Sequence, residues 1–310
     1  MTRIRATAAL LAGAAALATL PAEGASTSYG DFSINLTFTD SLYGYGEAPG
    51  EDSKYVTLIK QAADYWESRI TGYRTEALGQ DVTSLDIYAY AVDLGGPGGT
   101  LAFAGAGSLT SPSSHGFATP RTGYLGFDTN DLPRLSDSKF FGVALHELAH
   151  AIGFGQSVWI QNGLAEGNTD TTYGDTAGVP SVALDVYRDE YGLAGAGFIP
   201  LENNGGAGTA YTHWDEVLFG DHGGNSNPEL MTGWIGNNWY VSDTTIAAFE
   251  DVGYATVLGS ALAVSDPMPD GETVLVNNSE AIGKTPVPAS ALLLLSGLAG
   301  LGILRRRKTL

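Results

Sequence analysis

The run His146-Glu-Leu-Ala-His150 brings together the residue types that a hydrolytic metal centre needs. Two histidines four apart share one face of a helix. Neutral imidazoles placed in that way can grip one zinc ion. Glu147 lies one residue further round, where it can reach a water on the metal rather than the metal itself. Zinc lowers the pKa of such a water to about 7, and a carboxylate can take the proton. The competing reading is a surface helix with two solvated histidines and an ion-paired glutamate. Phe141, Ala144, Leu145, Leu148, Ala149 and Ile152 weigh against it, because they form an apolar stripe that must be buried and leave the polar face in a cleft.

The residues that follow narrow the possibilities. Gly153 stands three after His150, where a left-handed turn can end the helix and swing the chain toward another ligand. Three residues later comes Gln156, a poor zinc ligand. A catalytic zinc wants at least three protein ligands, so another must come from elsewhere. His115, His213 and His222 remain. His115 and His222 sit in polar loops, where solvated side chains are the rule.

The order His-Glu-x-x-His-x-x-Gly-Phe, a long insertion, His213-Trp-Asp-Glu216 and Glu229-Leu-Met-Thr-Gly233 resembles the leishmanolysin-type metzincins, including their bacterial relatives. The resemblance spans roughly residues 31–255. It implies His213 as the third ligand beside His146 and His150, one catalytic Zn2+, Glu147 as the catalytic base and Met231 as the Met-turn residue beneath the metal. It also implies an α+β fold of metzincin-type zincin architecture. Such a fold has a twisted mixed β-sheet, an active-site helix, and a C-terminal subdomain carrying the Met-turn and a terminal helix. The chain departs from the family in having no cysteine, where eukaryotic members are rich in disulfides. The commonest metzincins also carry a tyrosine two residues after the methionine, and here that position is Gly233.

Elements that could position these residues are legible around them. Phe32–Phe38 and Leu85–Val92 alternate as strands, with Gly123–Phe127 and a short piece at Leu101–Phe103 as further strands. Lys54 to about Ile70 repeats apolar residues at three and four, with Gly72 as its stop. Helices are also expected from Ser136, over Ser181–Tyr191, and from Ser242 to Asp251 with Gly253 as the stop. Residues 128–135, 155–180 and 192–212 read as loops. A bound peptide is expected to lie along Tyr124–Asp128 as an edge strand, adding a strand to the sheet. The Asp-containing loops 170–175 and 221–227 offer oxygen ligands for Ca2+ but lack the spacing of a calcium loop.

The two ends read as addresses. Arg3 and Arg5, an apolar run to Leu20 and small residues to Gly24 describe a signal peptide over residues 1–24. Residues 25–258 are then the catalytic domain and 259–284 a linker. Residues 285–310 hold Pro286-Val-Pro-Ala-Ser290, an apolar run and the basic cluster Arg305–Lys308. That order resembles the PEP-CTERM sorting signals in their VPLPA-like form. It implies export from a Gram-negative bacterium to the envelope, surface or medium, transient membrane association through the tail, and an exosortase-type processing enzyme as partner.

Six of the 15 basic residues lie in those two ends, so residues 25–284 hold nine basic and 33 acidic side chains. A domain this acidic is a poor partner for nucleic acid, which needs clustered Lys and Arg. Cysteine count zero excludes thiol catalysis, iron–sulfur ligation and disulfide staples. The motif and the resemblance together lead us to expect an exported zinc endopeptidase acting on protein or peptide substrates. The alternative is a catalytically silent surface, matrix or adhesion protein on the same scaffold, and a zinc hydrolase of a non-peptide bond is a third option.

Overall fold

The computed structural model describes residues 28–29, 32–44, 52–74, 84–112, 116–175, 180–206, 208–219, 228–235 and 239–258. The signal-peptide, linker and sorting-tail readings, His115, His222 and the Asp221–Asn227 loop therefore lie outside the described residues. Among the described residues, no helix is long and apolar enough to cross a membrane.

The alternating runs form a four-stranded sheet. Strands β2 (Ile34–Phe38), β4 (Leu85–Val92) and β6 (Thr122–Asp128) are parallel in the order β2-β4-β6, and β5 (Ala102–Ala106) closes the sheet antiparallel to β6. Alternation makes the sheet two-faced. Leu85, Ile87, Ala89 and Ala91 are buried, while Asp86 and Tyr88 on the opposite face are exposed. The expected edge at Tyr124–Asp128 is therefore corrected. Those residues lie in β6, between β4 and β5, and the end of the sheet is β5. The short strand expected at Leu101–Phe103 overlaps β5 and stops short of its end, because the Ala and Gly that continue it carry little strand preference.

Two long helices lie against the buried face. Helix α2 (Lys54–Arg69) follows the four-residue helix α1 (Asp40–Tyr43) and starts at Ser53, whose Oγ accepts from the Val56 N–H. It buries Tyr55, Val56, Ile59, Ala63 and Trp66. It runs directly into β3 (Ile70–Arg74), so Gly72 does not stop it. Gly72 instead follows an irregularity in the pairing of β3 with β9 (Tyr254–Thr256), and β3 also pairs with β1 (Ser28–Tyr29). Helix α3 (Asp137–Ile152) carries the His-Glu-x-x-His run and is capped by Ser136, which accepts from the Lys139 N–H. The Trp66 indole N–H donates to the Leu145 carbonyl at 2.9 Å and pins α2 to α3. The single apolar stripe underestimates the burial of α3. Phe140, Val143, Ala151, His146 and Glu147 are buried as well, so this helix is central rather than amphipathic.

The loops of the C-terminal half contain more structure than expected. Residues 156–161 form helix α4, and β7 (Thr172–Tyr173) pairs with β8 (Ile199–Pro200). A 3-10 turn covers Leu132–Arg134, and a short helix α6 spans Glu216–Phe219. The helices α5 (Val182–Glu190) and α7 (Asp243–Glu250) form where capping serines anticipate them, with Ser181 and Ser242 each accepting from the backbone N–H three residues on.

Two buried carboxylates hold this half in register. Asp251 accepts from the Tyr173 and Ser181 hydroxyls and from the Val182 N–H at the start of α5. Burial pushes its carboxyl up to about 6. Glu229 accepts from the Met231 and Ser242 N–H groups and from the Thr245 hydroxyl, and burial pushes it up to about 7. Asp251 ties segments 69 to 78 residues apart, and Glu229 ties its own turn to the start of α7, so the local pattern did not single them out.

Candidate metal centre

His146 and His150 come from the middle and last turn of α3, and His213 from the segment after β8. Their Nε2 atoms converge, with His146 3.1 Å from both partners and His150 3.0 Å from His213. Each Nδ1 points away from the others onto a backbone carbonyl. His146 donates to Leu230 at 2.7 Å, His150 to Phe154 at 2.6 Å and His213 to Thr209 at 2.8 Å. A carbonyl only accepts, so each Nδ1 carries the proton and each Nε2 keeps its lone pair. Three neutral acceptors about 3 Å apart cannot hydrogen-bond one another. They fit one cation at the usual zinc–nitrogen distance of about 2.0–2.1 Å. Among the described residues, this is the group of His, Cys, Asp and Glu side chains that could hold a metal ion.

Burial depresses all three imidazoles. His146 falls well below its ordinary value, through desolvation and the neighbouring His150 and His213. His150 falls to about 4 and His213 to about 3, again through desolvation first. The site therefore presents uncharged donors at neutral pH, the form that binds metal.

The supporting atoms are built by local structure. At the end of α3, Gly153 has φ +131°, and the Phe154 N–H returns to the Ala149 carbonyl at 2.9 Å. This turn aims the Phe154 carbonyl at His150. A Cβ on Gly153 would sit 3.1 Å from Pro120 Cγ, in a conformation that side chains avoid. Gly153→Ala should accordingly cost about 1–3 kcal/mol of stability. It should also weaken metal retention by loosening His150. Urea unfolding and zinc content measure the two effects, and an unchanged midpoint would remove the turn from the account.

Met231 is fully buried, and its carbonyl accepts from the Trp214 N–H at 3.0 Å. The residue before it, Leu230, supplies the carbonyl that orients His146. The turn at 229–232 thus holds His146 directly, and Trp214, the neighbour of His213, through main-chain atoms. Trp214, next to His213, has no exposed surface. It stacks on Trp159 and Phe219, and its indole N–H reaches Thr245 at 2.8 Å. Its role is packing. Gln156 lines the cleft but gives its amide to the Gly167 carbonyl at 2.9 Å, outside the triad.

Gly233 has no space for a side chain, since a Cβ would lie 2.3 Å from Thr209 Cγ2. In the Asp-containing loop, Asp170 uses both carboxylate oxygens on the Glu166 and Thr172 N–H groups, so it is committed to the loop itself.

Glu147 is 3% exposed, and burial pushes its carboxyl up to about 8. It shares with the triad a cleft of about 790 Å³. Phe103–Ala106 of β5 form one wall of that cleft, and Ala210–His213 line it as well. A cation beside Glu147 would act against the effect of burial and favour the carboxylate. The arrangement can hold a Lewis acid beside a proton acceptor, in a cleft bounded by β5, the end strand of the sheet among the described residues.

The sequence profile of the Leishmanolysin family, peptidase M8, matches residues 75–264 of the chain. A leishmanolysin homolog of Crithidia fasciculata is 26% identical over 209 residues, covering 63% of this chain and 30% of that protein. The leishmanolysin of Leishmania donovani is 25% identical over 210 residues, 63% of this chain and 33% of that protein. A ciliated left-right organizer metallopeptidase of Xenopus laevis is 30% identical over 156 residues, 44% of this chain and 20% of that protein. The chain spans about a third of the length of the two leishmanolysins.

Proposed function

The chain belongs to the leishmanolysin family, and from that premise we propose that it is a zinc-dependent endopeptidase of metzincin type. The observation that carries the reading is the convergence of three Nε2 lone pairs beside a buried glutamate. His146, His150 and His213 would hold the ion. Bound there, zinc supplies Lewis acidity, polarising a carbonyl oxygen and making a water more acidic.

The chain's own residues supply the rest. The three backbone carbonyls keep the imidazoles in the tautomer whose Nε2 is free. Glu147 accepts the proton of the attacking water at its carboxylate and returns it to the amine of the departing peptide. Strand β5 has β6 as its strand neighbour and lines the cleft, so its outer edge offers main-chain partners to an extended peptide. Met231 is the Met-turn residue by motif, and its turn supports the site through Leu230 and Trp214. Export by an N-terminal signal and sorting through the C-terminal tail complete the proposal. Amino-terminal sequencing of the mature protein should begin at Ala25.

Incubation with casein, followed by mass spectrometry of the products, tests the activity. New internal peptide ends that form with zinc and disappear with a chelator are expected. A protein that binds one zinc and generates no new ends would favour the silent surface or adhesion reading.

A further inference from the structure

Left-handed backbone in this chain is given almost everywhere to glycine. Twelve described glycines have positive φ, and among the described residues Tyr211, at +69°, is the one other residue that does. A tyrosine in that conformation brings its Cβ against the backbone, a conflict that glycine escapes. The main chain around it explains how the conformation is held. The Tyr211 N–H donates to the Glu202 carbonyl at 2.7 Å, and the Glu202 N–H donates to the His213 carbonyl at 2.9 Å. Ala210 N–H closes the preceding turn on Gly206 at 2.9 Å. All of these bonds are main chain, and glycine would form each of them equally well.

The backbone therefore gives no reason for a phenol at this position, and the cleft gives one. Tyr211 is half-buried on the cleft lining, beside Thr212 and His213, in the space shared with Glu147 and the β5 edge. No hydrogen bond ties its hydroxyl to another described residue, and no described aromatic ring packs on it. A strained residue with an uncommitted polar group, two positions from a metal-site histidine, has the marks of a ligand contact. Resting on the peptidase reading above, we propose that Tyr211 is a substrate-contacting residue, whose phenol hydrogen-bonds the main chain of the peptide lying between β5 and the histidine triad. A phenol can both donate to a peptide carbonyl and accept from a peptide N–H, so it recognises backbone rather than a particular side chain.

Zinc-loaded wild type, Tyr211→Phe and Tyr211→Gly test this through zinc content, Tm, kcat and KM on an internally quenched peptide. Tyr211→Gly should keep its zinc and unfold at the wild-type temperature or above, because the backbone strain is relieved. Its kcat/KM should nevertheless fall by about tenfold or more. Tyr211→Phe should keep zinc and Tm while kcat/KM falls about fivefold. A Tyr211→Gly protein that loses zinc or melts several degrees lower would overturn the proposal in favour of a structural role. So would a Tyr211→Phe enzyme indistinguishable from wild type.

Peptide binding in a Glu147→Gln background, followed by fluorescence anisotropy, separates this inference from the activity it rests on. There Tyr211→Phe should weaken binding about fivefold whether or not the wild type cleaves. Unchanged binding overturns the role of Tyr211 alone. Wild-type protein that binds the peptide and leaves it intact overturns the peptidase reading alone.

Discussion

Glu147→Gln should lower kcat on a peptide substrate by about 10³–10⁴ while one zinc stays bound, since a positioned general base contributes on that order. The substitution keeps the shape of the side chain, so the buried site next to His146 need not repack. It removes the one carboxylate that lines the cleft among the described residues. Because Glu147 is not among the converging nitrogens, zinc content should match the wild type. KM should change little, because the carboxylate acts on the reacting water and not on peptide binding. Stability should hold or rise slightly, since a neutral amide is easier to bury than a carboxylate. A Glu147→Gln protein that retains more than a tenth of wild-type kcat would remove this residue from the chemistry. One that has lost its zinc would make it a part of the metal site instead.

His213→Ala has the second large effect expected, and it acts on the metal itself. The site has three protein donors, and a structural zinc held by four is worth roughly 10–16 kcal/mol, so one donor carries on the order of 3 kcal/mol or more. Zinc affinity should therefore fall at least about a hundredfold, with activity falling in parallel. Two features make His213 the informative member. It lies far from the helix in sequence, and it is tied to the aromatic cluster through Trp214. Its loss thus separates metal binding from the helical pair. The folded state should survive, because Trp214, Trp159 and Phe219 stay buried without the imidazole. Competition with a chromophoric chelator gives the affinity, and circular dichroism checks the fold. Wild-type affinity in His213→Ala would exclude it as a ligand.

How much of this was legible in the sequence depends on whether the information was local. The helices expected from Ser136, Ser181 and Ser242 all form, and those serines, like Ser53 at the start of α2, accept from the backbone N–H three residues on. The pair on α3 and the glycine that ends the helix are local patterns as well, so their geometry follows from spacing. His213 is different. Nothing in its neighbourhood marks it as part of a triad, and only the similarity of the whole motif order placed it with the other two. The edge strand was misassigned because β5 is built of Ala, Phe and Gly, whose pattern is weak, while β6 has the stronger one. Glu229 and Asp251 stayed hidden for the same reason as most buried carboxylates. Their partners are hydroxyl and backbone groups brought together by tertiary structure, and no spacing rule reports them. Tyr211 became visible only through its φ angle.

Zinc titration of the chelator-stripped protein, with peptide turnover as the readout, tests the central claim most directly. Activity should be absent before metal is added, rise linearly with zinc and level off at one equivalent per chain. Turnover that persists without zinc, or that keeps rising well past one equivalent, would contradict a single three-histidine centre as the source of the chemistry.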